Sequence, residues 1–127
     1  DNCMLRFLKL TILSTMMISA ACATPNETPA QAAEKIMRAW WAGDFETIQA
    51  NCNPEHPYAQ PDYNIQTQID DINYTKTWIG DLKDIKVERV IERNTGLTTV
   101  AMRLTFTEGV YEGGIHLIPG NRFTGFG

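Results

Sequence analysis

Apolar side chains recur at steps of three and four from Ala33 through Ile36, Met37, Trp40 and Trp41. That spacing lines one face of an α-helix. Thr28-Pro29-Ala30-Gln31 marks its start: Thr28 can cap, Pro29 suits the first helical position and Gln31 completes a capping box. Gly43 stops the helix, and Asp44 can cap a short second one whose buried side is Phe45 and Ile48. A breaker-rich loop follows from Asn51 to Asn64, with Pro54, Pro57 and Pro61. Ile65, Ile69 and Ile72 then resume the helical step, with Asp70 and Asp71 on the polar side. From Asp84 the period becomes two, so that Ile85, Val87, Arg89 and Ile91 alternate with Lys86, Glu88, Val90 and Glu92. Asn94-Thr95-Gly96 supplies a tight turn, and Val100, Met102, Leu104 and Phe106 line one face of a second strand. Glu108-Gly109 turns the chain again. Gly113-Gly114 is expected to break or bulge the third strand before Ile115 to Ile118, and Pro119-Gly120-Asn121 leads into a last strand from Arg122 to Phe126. Helices first and an antiparallel meander afterwards predict an α+β domain, not a βαβ one.

The front of the chain follows neither period. Met4 reads as the initiating residue, Arg6 and Lys9 make a short positive region, and Leu10 to Ile18 is apolar apart from small hydroxyl residues. Small residues follow at Ser19-Ala20-Ala21. This order is that of a secretory signal peptide over residues 1–23. A membrane span needs roughly 20 apolar residues, and this stretch is shorter and contains Lys9. Residues 24–27 then form a polar tether, and 28–127 a single α+β domain.

Ser19-Ala20-Ala21-Cys22 resembles the lipobox of bacterial lipoproteins, with Ser19 where such boxes usually carry leucine. The resemblance implies a diacylglycerol on the sulfur of Cys22, membrane attachment through that lipid, and outer-membrane sorting toward the periplasm. Ala21-Cys22-Ala23 also fits ordinary cleavage after Ala23, which would leave a soluble periplasmic protein. Within the domain, the capped helix, the Gly43-Asp44-Phe45 step, the short second helix and the later hairpin from Ile85 to Phe106 resemble the cystatin-like, nuclear transport factor two-like group. The likeness is greatest to that group's small bacterial lipoproteins of unknown function. It implies N-terminal helices packed on a curved antiparallel sheet, forming a cone. The group usually ends in a longer strand with a tryptophan, whereas this chain reads Phe123-Thr124-Gly125-Phe126-Gly127.

Composition narrows the function more than it identifies it. The 127 residues carry 15 acids and 11 bases, with no basic run interleaved with aromatics, so a nucleic-acid partner is not expected. Removing residues 1–21 takes out Asp1, Arg6 and Lys9, leaving the remainder more acidic still. No glycine-rich phosphate loop or hydrolase motif occurs, and no cofactor is implied. Cys52 and His56, with Glu55 between them, are too sparse a set for zinc, and Cys52 reads as a small buried hydrophobe. The cone's enzymes use an Asp or His tuned by burial, which makes Asp62, Asp70 and His116 the weak catalytic candidates, with Tyr63 and Tyr74 as donors. Asp70 is expected on a solvated helix face and His116 opposite Ile115 and Leu117. Trp40, Trp41, Tyr58, Tyr63 and Phe106 are the candidate wall of a small apolar pocket. The reading these features favour is a non-enzymatic envelope lipoprotein that binds an envelope protein or a small apolar ligand. An isomerase- or dehydratase-like enzyme is the alternative, and a self-associating homodimer a third.

Overall fold

The computed structural model describes residues 26–127. Helix α1 spans Pro29–Ala42, α2 Phe45–Ala50 and α3 Ile65–Ile79, with one turn of 3-10 helix at Pro57–Ala59 between the last two. Strands β1 (Leu82–Glu92), β2 (Thr98–Phe106), β3 (Gly109–Ile118) and β4 (Arg122–Phe126) follow, and pair in sequence order as an antiparallel sheet.

The helix ends form as their residues dictate. The Gln31 N–H donates to the Thr28 hydroxyl at 3.1 Å and the Thr28 N–H donates to the Gln31 side chain at 3.0 Å, which satisfies two otherwise orphaned donors. Gly43, at φ 73°, ends α1 by turning its N–H back toward the Ala39 and Trp40 carbonyls. Asp44 caps α2, accepting from the Thr47 N–H at 3.2 Å and the Thr47 hydroxyl at 2.7 Å. Small Ala32, Ala33 and Ala39, beside Ile36 and Met37, form the buried face of α1. Opposite them lie Val100, Met102, Leu104 and Phe106 of β2, all buried, with Ile115, Leu117 and Phe123. Burying such side chains contributes about 1.5–3 kcal/mol each. Helix α3 spends much less of itself on this core. Only Ile72 is fully buried, and Ile65, Ile69 and Ile79 pack partly against it.

Two details of the strands depart from simple alternation. In β1 the register shifts between Val87 and Arg89, so Val87 pairs with Met102, Arg89 with Ala101 and Val90 with Val100. Cross-strand partners share a face, so Val90, not Arg89, continues the row begun by Ile85 and Val87. A β-bulge of this kind flips every later side chain. In β3, Gly113 and Gly114 neither break nor bulge the strand, and pairing with β2 runs unshifted from Gly109 to Leu117. Gly114 is held on both sides: it pairs with Ala101 and exchanges hydrogen bonds of 2.9 and 2.8 Å with Gly127. The shift in β3 falls later, between His116 and Leu117, on the β4 side.

The two sheet margins are treated differently. Along β4 the segment Asn51–Asn53 adds itself to the sheet: the Asn53 N–H donates to the Phe123 carbonyl and the Phe123 N–H to the Asn51 carbonyl, both at 2.7 Å. Along the outer edge of β1 none of the described residues pairs, but two register shifts kink the strand, and Lys83, Asp84, Lys86, Glu88 and Arg89 are exposed on it. Among the described residues no helix is long and apolar enough to cross a membrane.

The junction of α3 and β1 yields a prediction. Gly80 adopts φ 80°, ψ −149°, and a Cβ there would fall 2.6 Å from Thr107 Cβ. Gly43 also has a positive φ, but a Cβ there meets nothing within 4 Å. Gly43→Ala is therefore expected to cost about 1 kcal/mol and Gly80→Ala roughly 2–3 kcal/mol. Urea midpoints of the two variants check this, and equal midpoints would contradict the clash at Thr107.

Candidate functional site

Two aromatic clusters flank α1, because adjacent residues on a helix diverge by about 100°. Trp40 turns toward β4 and the proline-rich loop. Its ring stacks on Tyr58 at 5.6 Å between centroids and meets Phe126 at 4.7 Å and Phe45 at 5.5 Å. Tyr58 is the centre of this group, lying parallel to Phe123 at 6.0 Å and tilted against His56 at 4.5 Å and Tyr63 at 5.0 Å.

The loop is built to hold Tyr58 there. Asn53 accepts from the Glu55 N–H, and His56 Nδ1 accepts from the Tyr58 N–H at 3.1 Å, capping the turn Pro57–Ala59. Gln60 reaches back to the Pro54 and His56 carbonyls, and Gln49 donates to the Tyr58 carbonyl. Burial in this apolar wedge disfavours every charged form. It raises the Tyr58 phenol to about 12, with the neighbouring Tyr63 adding to the effect. It raises the Cys52 thiol to about 11, against a backbone hydrogen bond from Asn53 and the nearby charge of Arg122. Burial also lowers the His56 imidazole below its usual value. All three side chains are neutral at pH 7.

Trp41 turns the other way. Its indole N–H donates to the Gly80 carbonyl at 3.2 Å, its ring meets Phe106 at 4.9 Å, and Lys76 Nζ lies 5.8 Å above it. Phe106 passes the contact on to Tyr111 at 5.7 Å. Beside this cluster, Arg38, Trp41, Ala42, Lys76, Asp81 and Leu82 line a groove of about 260 Å³. A larger groove, about 580 Å³, is lined by Ala39 and Ala42 together with the side chains of Glu34, Lys35, Arg38 and Asp44.

The five expected pocket residues are thus divided. Trp40, Tyr58 and Tyr63 share one cluster, and Trp41 and Phe106 share the other. The catalytic candidates are also apart. Asp62 is exposed in the loop, and Asp70 is exposed on α3, accepting from Gln66 at 2.9 Å. His116 stands on the sheet face opposite Ile115 and Leu117, with Nδ1 2.9 Å from the Thr99 hydroxyl. Among the described residues no three His, Cys, Asp or Glu side chains gather as metal ligands. Cys22 lies outside the described residues.

Sequence reasoning named Tyr74 as a candidate donor but passed over Trp78 and the pairing of the two on α3. Tyr74 and Trp78 are 65% and 67% exposed, with their rings 6.2 Å apart and edge to face. Their four-residue spacing, off the Ile65, Ile69 and Ile72 row, was the available signal.

The lowered pKa of His56 has a consequence for stability. As pH falls below about 6.5, the unfolded chain takes up a proton that the folded chain still refuses. Stability is therefore lost between that pH and the depressed native value, and the loss levels off below it. His56→Asn keeps an acceptor for the Tyr58 N–H and is expected to flatten this part of the profile. Urea midpoints from about pH 7.5 to 5 check it, and parallel profiles for the two proteins would contradict the assignment.

Compared with known proteins, the chain matches no family model, no curated protein and no solved structure.

Proposed function

We propose that the chain is an exported envelope lipoprotein, held through a diacylglycerol on Cys22, whose α+β domain binds a protein partner. The observation that carries the binding role is the exposed Tyr74–Trp78 pair. Large aromatic side chains left side by side in water on a thinly packed helix are a familiar feature of interaction surfaces, where such residues supply most of the affinity. The interior clusters offer less to a small ligand, because their rings fill one another.

The export reading rests on the positive, apolar and small-residue order of residues 4–23 and on Ser19-Ala20-Ala21-Cys22. We further propose the cystatin-like, nuclear transport factor two-like cone as the domain's family. Helix α1 laid along one face of an antiparallel meander is what supports it. The isomerase- or dehydratase-like alternative needs a carboxylate or imidazole tuned by burial. Asp62 and Asp70 stand in solvent, and His116 faces away from the helices.

Two measurements test the proposal. The intact mass of protein recovered from bacterial membranes is expected to include a diacylglycerol that Cys22→Ser lacks. A mature form that begins at Thr24 and is free of lipid would overturn the anchor. A photo-crosslinking residue at position 78 is expected to trap a discrete protein adduct in the producing cell, whereas one at Lys83 does not. Trp78→Ala should leave stability within about 0.5 kcal/mol of the parent, as for ordinary surface positions. Catalytic turnover abolished by a single Asp or His substitution would overturn the binding role.

A further inference from the structure

The chain leading into the domain is pinned to one of its two ends. Asn121 Nδ2, in the β3–β4 turn, donates to the Glu27 carbonyl at 2.6 Å. The Glu27 carboxylate pairs with Lys35 at 2.9 Å, and Lys35 also donates to the Asn51 side chain at 3.0 Å. Glu27 therefore belongs to the folded domain. The β1–β2 turn lies at the same end, since a Cβ on Gly96 would sit 3.4 Å from Pro119. Strand β2, nine residues long, runs from this end to the other, about 30 Å away at the strand rise. At that far end Asp81 and Thr107 exchange hydrogen bonds and Trp41 holds the Gly80 carbonyl.

Cys22 and Glu27 are five residues apart. A fully extended chain of that length spans at most about 18 Å, which is less than the length of the domain. A lipid on Cys22 would therefore hold the end bearing Glu27, Gly96 and Asn121 close to the bilayer surface.

We infer that the end formed by the β1–β2 and β3–β4 turns, pinned through Asn121 and Glu27, is a membrane-apposed surface that meets lipid headgroups. The far end, with the close of α3 and its Trp78, then projects away from the bilayer toward soluble partners. This rests on the lipid-anchor reading, and the test separates the two.

Full-length protein purified in detergent from bacterial membranes is first weighed for the diacylglycerol on Cys22. It is then reconstituted into phosphatidylethanolamine–phosphatidylglycerol vesicles containing a headgroup nitroxide lipid. A thiol-reactive dye is placed at Thr95→Cys in the β1–β2 turn or at Glu108→Cys in the far turn, and buried Cys52 stays unlabelled under native conditions. The expected result is loss of most of the Thr95 emission and little of the Glu108 emission. Equal quenching, or greater loss at Glu108, in protein carrying the lipid overturns the orientation and leaves the anchor standing. Absence of the diacylglycerol overturns the anchor, and the orientation with it. A glycine-serine insert of about 20 residues after Ala23, with a root-mean-square reach of about 25 Å, should restore the Thr95 emission. Quenching unchanged by the insert overturns the argument from tether length.

Discussion

The seam between Asn51–Asn53 and β4 joins the two halves of this fold. Two backbone hydrogen bonds of 2.7 Å place Phe123 between them, and its side chain is completely buried. Without that seam the helical half would meet the sheet through side-chain packing of α1, with Ile72 of α3 and Phe45 and Ile48 of α2 beside it, and no strand-like pairing on the β4 side. With it, the proline-rich loop is anchored where it must begin, and the ring of Tyr58 can lie parallel to Phe123. Trp40 and Phe126 close over the same stack. The backbone bonds set position and the rings supply buried area, so each depends on the other. A strand of five residues as short as β4 would otherwise be a weak margin for the sheet.

Much of this architecture could be read from the chain because the signals were local. The Thr28–Gln31 capping box, the Gly43 stop, the Asp44 cap and the alternating row Val100, Met102, Leu104 and Phe106 each need only neighbours within a few residues. What escaped was set by distant partners. The bulge between Val87 and Arg89 exists only relative to β2, so alternation alone placed Arg89 and Ile91 on the wrong side. Gly113-Gly114 looked like a break, yet the pairing of Gly114 with Ala101 and Gly127 keeps the strand continuous. The candidate site was legible only in part. The divergence of Trp40 and Trp41 follows from helix geometry, but which aromatic residue each would find depends on the loop and on β4. His56, Phe123 and Phe126 entered the first cluster through those long-range contacts.

The ionisable groups near the core share one tendency. Tyr58, His56 and Cys52 are all shifted toward their neutral forms, and burial is the leading cause for each. An environment that disfavours charge in every direction suits packing. Acid–base chemistry instead needs environments that push the pKa values of two groups apart. The polar commitments of the domain lie elsewhere, at the helix caps, at Lys35 between Glu27 and Asn51, and at Arg103 between Glu88 and Glu112.

The kinked, charged β1 strand bears on how the molecule behaves when crowded. Eleven residues of flat, apolar strand with unmet hydrogen-bonding groups would invite a neighbouring copy to add on and start a stack. Here the bulges bend that row, and a like-for-like neighbour would set Lys86 and Arg89 against their own kind. The opposite margin is already occupied by the chain itself. Bulges and charge at one margin, and the chain's own segment at the other, thus oppose the strand-by-strand addition with which fibril growth starts.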